Sequence, residues 1–397
     1  MCRDFVCRGL VSEDCVLIIY PPGIACRGDF VSVWILVKNG RKTYCTQLAV
    51  VLSLQKENDL KGDTIMSDFV FNQEDKALLE RLQSFIPDKV FDMHAHIHNV
   101  AHIEDNPDSL TIRHGTATAQ CFLDEQKELY GDRLVRGLLI PFPTMNFKTP
   151  GIPAQVNEWF LQQLATVPSC AGEVFVKPGD TREYIESMLV NPQVKGFKCY
   201  HITADTNGPT FLADIGEYLP EVAWEIANER GLVITLHMVK ELSLADPQNL
   251  AYIKEKTQKY PNAKLILAHC ARGFSAWTTI ETVRQLKGIP NLYYDMAAIS
   301  EPATMYEVIR QAGHDKVMWG SDYCIDRVRG RAFSCGQTFT WVYDYDLPEE
   351  GINMPMSLVC LESLFAFYQA SLMLDLTKAQ IEDIFYNNAV RLLGLEA

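Results

Sequence analysis

From Phe71 onward, short runs rich in β-branched residues alternate with longer stretches whose apolar positions recur at helical spacing. The strand candidates are Val90–His94, Leu134–Pro141, Glu173–Val176, Val194–Tyr200, Leu232–His237, Lys264–His269, Asn291–Met296 and Lys316–Ser321, eight in all. Most are almost continuously apolar, as parallel strands covered on both faces should be. Between them the spacing predicts helices over Ala154–Thr166, Thr181–Leu189, Ile215–Arg230, Pro247–Lys259, Ser275–Leu286 and Pro302–Ala312. Asp246 before Pro247 supplies an N-cap and a first-turn proline, and Gly231 after Arg230 supplies a C-terminal stop. This alternation predicts an α/β fold, a (β/α)8 TIM barrel in preference to an open sheet. Extra C-terminal helices over Met356–Leu374 and Thr377–Leu393 are expected to pack outside the closed barrel. The stretches 101–130, 142–153, 201–215 and 323–355 read as loops without a decodable pattern.

Residues 1–65 follow a different pattern. Their β-type runs, Val16–Tyr20, Phe30–Val37 and Thr43–Leu54, are joined by no helical spacing. They hold eight basic and seven acidic residues, whereas the whole chain carries −14, so the remaining 332 residues carry −15. In a bacterial gene, Lys61-Gly62-Asp63 can be encoded by a purine-rich ribosome-binding sequence a few codons before Met66. We therefore expect 1–65 to be an N-terminal extension that is an upstream mistranslation or disordered, and 66–397 to be the barrel domain. A small β-rich extension packed on the main body is the alternative. The intact mass of the protein from its native host checks this, and a chain beginning at Met1 would overturn it.

The 397 residues are 48% apolar, enough for a large core. A charge of −14 argues against nucleic acid or an anionic membrane as partner, since both require a cationic footprint. No apolar run reaches spanning length, and the N-terminus lacks the arrangement of a secretory signal. The twelve cysteines contain no CxxC pair, which points to reduced thiols and a cytoplasmic protein.

Residues at the C-terminal ends of barrel strands converge on one mouth. The first strand ends Asp92-Met93-His94-Ala95-His96, the fifth in His237, the sixth in His269, and the eighth runs into Trp319-Gly320-Ser321-Asp322. Alternation places His94 and His96 on one side, where both imidazoles reach a single ion. A histidine closing one strand is ordinarily structural. Four such ends in register are not a packing outcome, because each buried polar group left without a partner costs about 2–7 kcal/mol. A metal supplies those partners.

These residues resemble the amidohydrolase superfamily, in the branch of metal-dependent hydrolases and aminocarboxymuconate semialdehyde decarboxylase-like enzymes. The tail Ile384-Phe385-Tyr386-Asn387-Asn388-Ala389-Val390-Arg391-Leu392-Leu393-Gly394 is similar to that branch's closing helix. The resemblance implies that His94, His96, His237 and Asp322 bind a divalent metal, Zn2+ first and Mn2+ or Fe2+ next. It implies that Asp322 also acts as the base, and that unligated His269 polarises the substrate or moves its proton. Lys198 is implied as a carbamylated bridge between two metals or, unmodified, as an anion-binding ammonium. Arg272, His201 and Arg327 are candidate substrate contacts, because cations around the mouth of an acidic chain suit an anionic substrate such as a carboxylate. The expected reaction is hydrolysis of a C–N, ester or lactone bond by metal-activated water. Nonhydrolytic decarboxylation uses the same metal shell and is the alternative. An inert barrel acting as a binding protein is the reading from another class, disfavoured because all five expected positions are filled. The resemblance further implies a homodimer acting on a small molecule.

Overall fold

The computed structural model describes residues 71–103, 115–347 and 356–396, and the backbone of three strands nearer the N-terminus. Contacts divide the chain into Met1–Asp63 and Thr64–Ala397. In the first unit, β1 (Cys15–Ile19), β2 (Val31–Asn39) and β3 (Lys42–Val50) form an antiparallel sheet in that order. The second is a (β/α)8 TIM barrel. Its eight strands are β4 (Lys89–Ile97), β5 (Leu134–Pro141), β6 (Ala171–Phe175), β7 (Val194–Cys199), β8 (Val233–Leu236), β9 (Lys264–Leu267), β10 (Leu292–Asp295) and β11 (Val317–Met318). All seven ladders between successive strands are parallel.

The seam between β4 and β11 closes differently. Met93 N–H donates to Trp319 O and Asp322 N–H to His94 O, each at 2.9 Å, and Ala95 bridges to Tyr323. Gly320 makes this approach possible: a Cβ there would lie 3.0 Å from the Cβ of His94, too close for an ordinary carbon contact. Two chemistry-bearing segments, 92–96 and 320–323, thus meet edge to edge.

Side chains fill the barrel in layers. Phe91, Met93, Leu138, Ala171, Val233, Ile266 and Met318 form an apolar floor. Two residues beyond Ala171 and Val233 stand Glu173 and Thr235, with Lys198 and Asp295 buried beside them. A register shift between Asp92 and Ala95 changes the inward parity of β4, so that His94 and His96 follow Met93 into the interior.

Asp246 caps the helix Pro247–Lys259, and Gly231 ends Glu221–Arg230 in a left-handed conformation (φ 67°), both as the sequence predicts. The helix predicted from Ile215 instead begins at Glu221: Ile215–Glu217 is a single 3-10 turn, and Pro220 precedes the true start. Helices Gln73–Leu82 and Ala119–Tyr130 were not expected, the second lying in a stretch read as loop. So does the antiparallel pair β12 (Gly330–Cys335) and β13 (Thr338–Tyr343). Helix Val359–Met373 lies outside the barrel, with Phe367 stacked on Trp319, but Asn388–Leu393 packs on the floor residues and plugs the barrel's base. Asn388 secures it by donating to His314 O and Val317 O at 2.7 and 2.8 Å.

Candidate metal centre

The predicted strand-end residues meet at the barrel's C-terminal rim. His94 Nε2 lies 3.1 Å from His96 Nε2, and Asp322 Oδ1 lies 3.6 Å from the first and 3.2 Å from the second. Ligand atoms about 2.0–2.2 Å from one tetrahedral ion are separated by about 3.3–3.6 Å, so the spacing suits a shared cation.

Hydrogen-bond partners assign the tautomers. His94 Nδ1–H faces Asp295 Oδ2 at 3.0 Å. Tyr200 donates its hydroxyl to Pro141 O at 2.9 Å, so at 3.3 Å from His96 Nδ1 it accepts that ring's proton. Both Nδ1 protons are therefore used, leaving two Nε2 lone pairs pointing at one another across 3.1 Å. Such a pair repels unless a cation lies beside it. An outer acceptor on Nδ1 is also how metal-binding imidazoles are ordinarily oriented. The donor set thus fits a divalent ion.

Lys198 also places a cation beside this pair, with Nζ 3.1 Å from His94 Nε2. Burial holds the Lys198 ammonium below its ordinary pKa, against the pull of Glu173, Asp295 and Asp322. Burial, with Lys198 alongside, drives His94 well below the imidazole range, and burial also lowers His96. Burial pushes the Asp322 carboxyl up, yet His269, His96 and His94 outweigh it and hold the group below the usual carboxylate range. At neutral pH the centre thus offers a carboxylate and neutral imidazoles, the protonation states a metal needs.

His269 and Arg272 reach the rim through an unusual turn. After β9, His269, Cys270, Ala271 and Arg272 all have positive φ, between 50° and 63°. Each non-glycine residue there costs about 1–2 kcal/mol, and such strain persists where surrounding contacts over-determine it. His269 N–H donates to Asp295 Oδ1 at 2.8 Å and its Nδ1–H to Ala297 O at 2.9 Å. One potential ligand atom each from His94, His269 and Asp322 lie within 4.8 Å of one another, so His269 borders the same centre.

His237 stands one ring further out. Its Nδ1–H donates to His269 Nε2 at 3.1 Å, and its Nε2 accepts from Arg272 at 3.2 Å. Both nitrogens are occupied, so in this structure His237 is a hydrogen-bonded neighbour of His269 and not one of the converging donors expected. Half-buried His201 bonds Thr210 Oγ1 at 3.2 Å, with Arg272 among the charges that, after burial, lower its pKa. The reading of Arg327 as a mouth cation is corrected. It is buried, with Nε 3.3 Å from Asp326 and 3.5 Å from Glu125. Arg329 pairs with Asp75 and Arg331 with Glu362, so these arginines tie the β11–β12 segment to acids of the body.

Three contributors escaped the sequence reading. Asp295 closes β10 just as the candidate ligands close their strands, a signal that was present. Asp92 accepts from His94 N–H and Ser321 N–H, at 3.0 and 2.9 Å, and so spans the seam. Glu173, pushed up to about 8 by burial, lies beneath Lys198 with its Oε2 bonded to nothing among the described residues.

A parallel barrel gathering imidazoles and a carboxylate at its C-terminal rim defines a TIM-barrel enzyme with a candidate metal site. The sequence model of the amidohydrolase family matches residues 91–395, and the chain belongs to that family. Comparison with curated proteins finds no match. Among solved structures, an amidohydrolase from Burkholderia multivorans with bound HEPES is similar at 12% identity and TM-score 0.51, over 78% of this chain and 100% of that one. A 2,6-dihydroxybenzoate decarboxylase complexed with 2,6-dihydroxybenzoate is similar at 13% identity and TM-score 0.50, over 77% and 99%. An amidohydrolase II matches at 16% identity and TM-score 0.50, over 77% and 100%. At these identities the likeness is one of fold. No helix among the described residues is long and apolar enough to cross a membrane.

Proposed function

We propose that the protein is a metal-dependent hydrolase cleaving a C–N, ester or lactone bond of a small molecule. The observation that carries this reading is the convergence of His94, His96 and Asp322 within 3.6 Å, with both Nε2 lone pairs turned inward. A divalent cation there, zinc in this reading, would act as a Lewis acid on the substrate and bring the pKa of water toward about 7. Asp322 then takes the proton of the attacking water and returns it to the leaving group. His269, anchored through Nδ1 to Ala297 and through Nε2 to His237, borders the reacting side. Lys198 offers positive charge to an oxyanion, and burial of His94, Lys198 and Asp295 keeps bulk water out.

One observation favours a second reading. The buried Lys198 ammonium beside the same donors can hold a carboxylate, as loss of CO2 from an acid would require. Purification without chelator, metal analysis and a panel of esters, lactones, amides and hydroxy-acids separate the cases. About one metal per chain, with hydrolysis abolished by chelation and restored by zinc, is the expected result. Evolved CO2 without hydrolysis would establish the second reading. Less than a tenth of an equivalent of metal and no turnover would leave an inert barrel, the remaining outcome.

A further inference from the structure

Arg272 differs from the other arginines near the rim. Arg327, Arg329 and Arg331 each face a carboxylate, whereas Arg272 has no acidic partner among the described residues. Its guanidinium is mostly withdrawn from water, and burial lowers its pKa with only Tyr218 acting in the opposite sense. Nε is buried without an acceptor among the described residues. A desolvated cation left without counter-charge is costly, and an orphaned donor adds to that cost. In a chain of −14, acidic residues to neutralise it were plentiful, yet none among the described residues pairs with it.

The group is nevertheless held in place. One guanidinium nitrogen donates to His237 Nε2 at 3.2 Å, and the backbone is fixed in the left-handed region at φ 57°. From the other side Phe339 of β13 lies under the guanidinium, its ring centre 5.3 Å from Cζ. Phe339 also packs on Phe274 (4.9 Å), and Phe274 on His269 (5.1 Å), so the hairpin connects to the reacting side through aromatic rings.

We propose that Arg272 is the anchor for an oxyanion of the substrate, a carboxylate or a phosphate, bound beyond His269 as seen from His94, and that Phe339 of the β12–β13 hairpin holds the guanidinium ready for it. This rests on the reading of the rim as the substrate site. The anchored group is not the one that reacts: the Arg272–His237–His269 chain separates it from the His94/His96 pair. A planar guanidinium held over a ring and tied at one nitrogen keeps other N–H groups for a planar or tetrahedral anion.

The test measures binding of benzoate, phenyl phosphate and neutral benzamide to zinc-loaded protein by calorimetry, with metal content determined on the same samples. Arg272→Gln is expected to weaken the preferred anion about ten- to hundred-fold while leaving benzamide within two-fold, the loss set by charge-assisted hydrogen bonds. The anion that loses more identifies carboxylate or phosphate as the natural group. Phe339→Ala, at a partly buried position and with thermal unfolding measured on the same sample, is expected to weaken the same anion about three-fold through a loosened guanidinium. Anion binding to Arg272→Gln within two-fold of wild type would overturn the proposal, as would equal losses for benzamide and the anions. Metal content below a tenth of an equivalent, with the arginine dependence intact, would sink the metal-hydrolase reading and leave the anchor standing.

Discussion

Asp322→Asn is expected to lower kcat about 10³-fold on whichever panel substrate is turned over, within the range removed with a general base. The substitution is conservative in every respect but one. Asp322 has φ 70°, a left-handed conformation that asparagine also tolerates, and its N–H still donates to His94 O at 2.9 Å. The amide oxygen can take the position of Oδ1, 3.2 Å from His96 Nε2. What disappears is the negative charge and the capacity to accept a proton. Folding should therefore change little, with thermal unfolding within a few degrees of wild type, while KM moves far less than kcat. Metal content should fall only in part, since His94 and His96 remain. A variant retaining more than a tenth of wild-type kcat would remove Asp322 from the role of base.

The convergence at the rim was legible because two sequence rules point at the same residues: strand ends meet at one rim, and side chains two apart share a face. His94, His96, Asp322 and Lys198 all meet there as those rules require. The arrangement beyond them depends on features that leave little local trace. The bulge between Asp92 and Ala95 resets the parity of β4 without a glycine or proline to announce it. The left-handed run from His269 to Arg272 contains no glycine either, so nothing in the chain signals that His269 turns toward His237. The destinations of Arg327, Arg329 and Arg331 depend on Glu125, Asp75 and Glu362, partners distant in sequence whose placement only the folded barrel decides. Gly336, between β12 and β13, did mark a hairpin in the stretch read as loop, and its φ of 60° shows why glycine is there. The helix Asn388–Leu393 was read as helix, but not that it covers the barrel's base, because periodicity reports that a face is apolar and not which surface covers it.

Asp92→Ala is expected to destabilise the barrel by about 2–4 kcal/mol and to weaken metal binding about 10- to 100-fold, although Asp92 is not a ligand. Its Oδ1 accepts from His94 N–H and Ser321 N–H, at 3.0 and 2.9 Å, and its Oδ2 from the Ser321 hydroxyl at 2.5 Å. Ser321 Oγ in turn accepts from Tyr323 N–H at 2.9 Å. One fully buried carboxylate thereby fixes the segment carrying His94 against the one carrying Asp322, at the junction of β4 and β11, where no strand ladder forms among the described residues. Removing it leaves buried donors without acceptors and lets the two segments separate. Thermal unfolding and zinc competition against a chromophoric chelator measure the two effects. The pH dependence gives a separate readout. Burial pushes the Asp92 carboxyl up from 3.8 to about 6, against the hydrogen bonds from Ser321 and His94. Between those values the folded protein binds the proton more tightly than the unfolded chain, so wild type loses stability through this group as pH rises from about 4 to about 6. The alanine variant should lack that slope. Ser321→Ala, which removes only the hydroxyl contact, should fall between the two in both stability and zinc affinity. If Asp92→Ala binds zinc as tightly as wild type, the ligands are held in place without the clamp and its role is confined to packing.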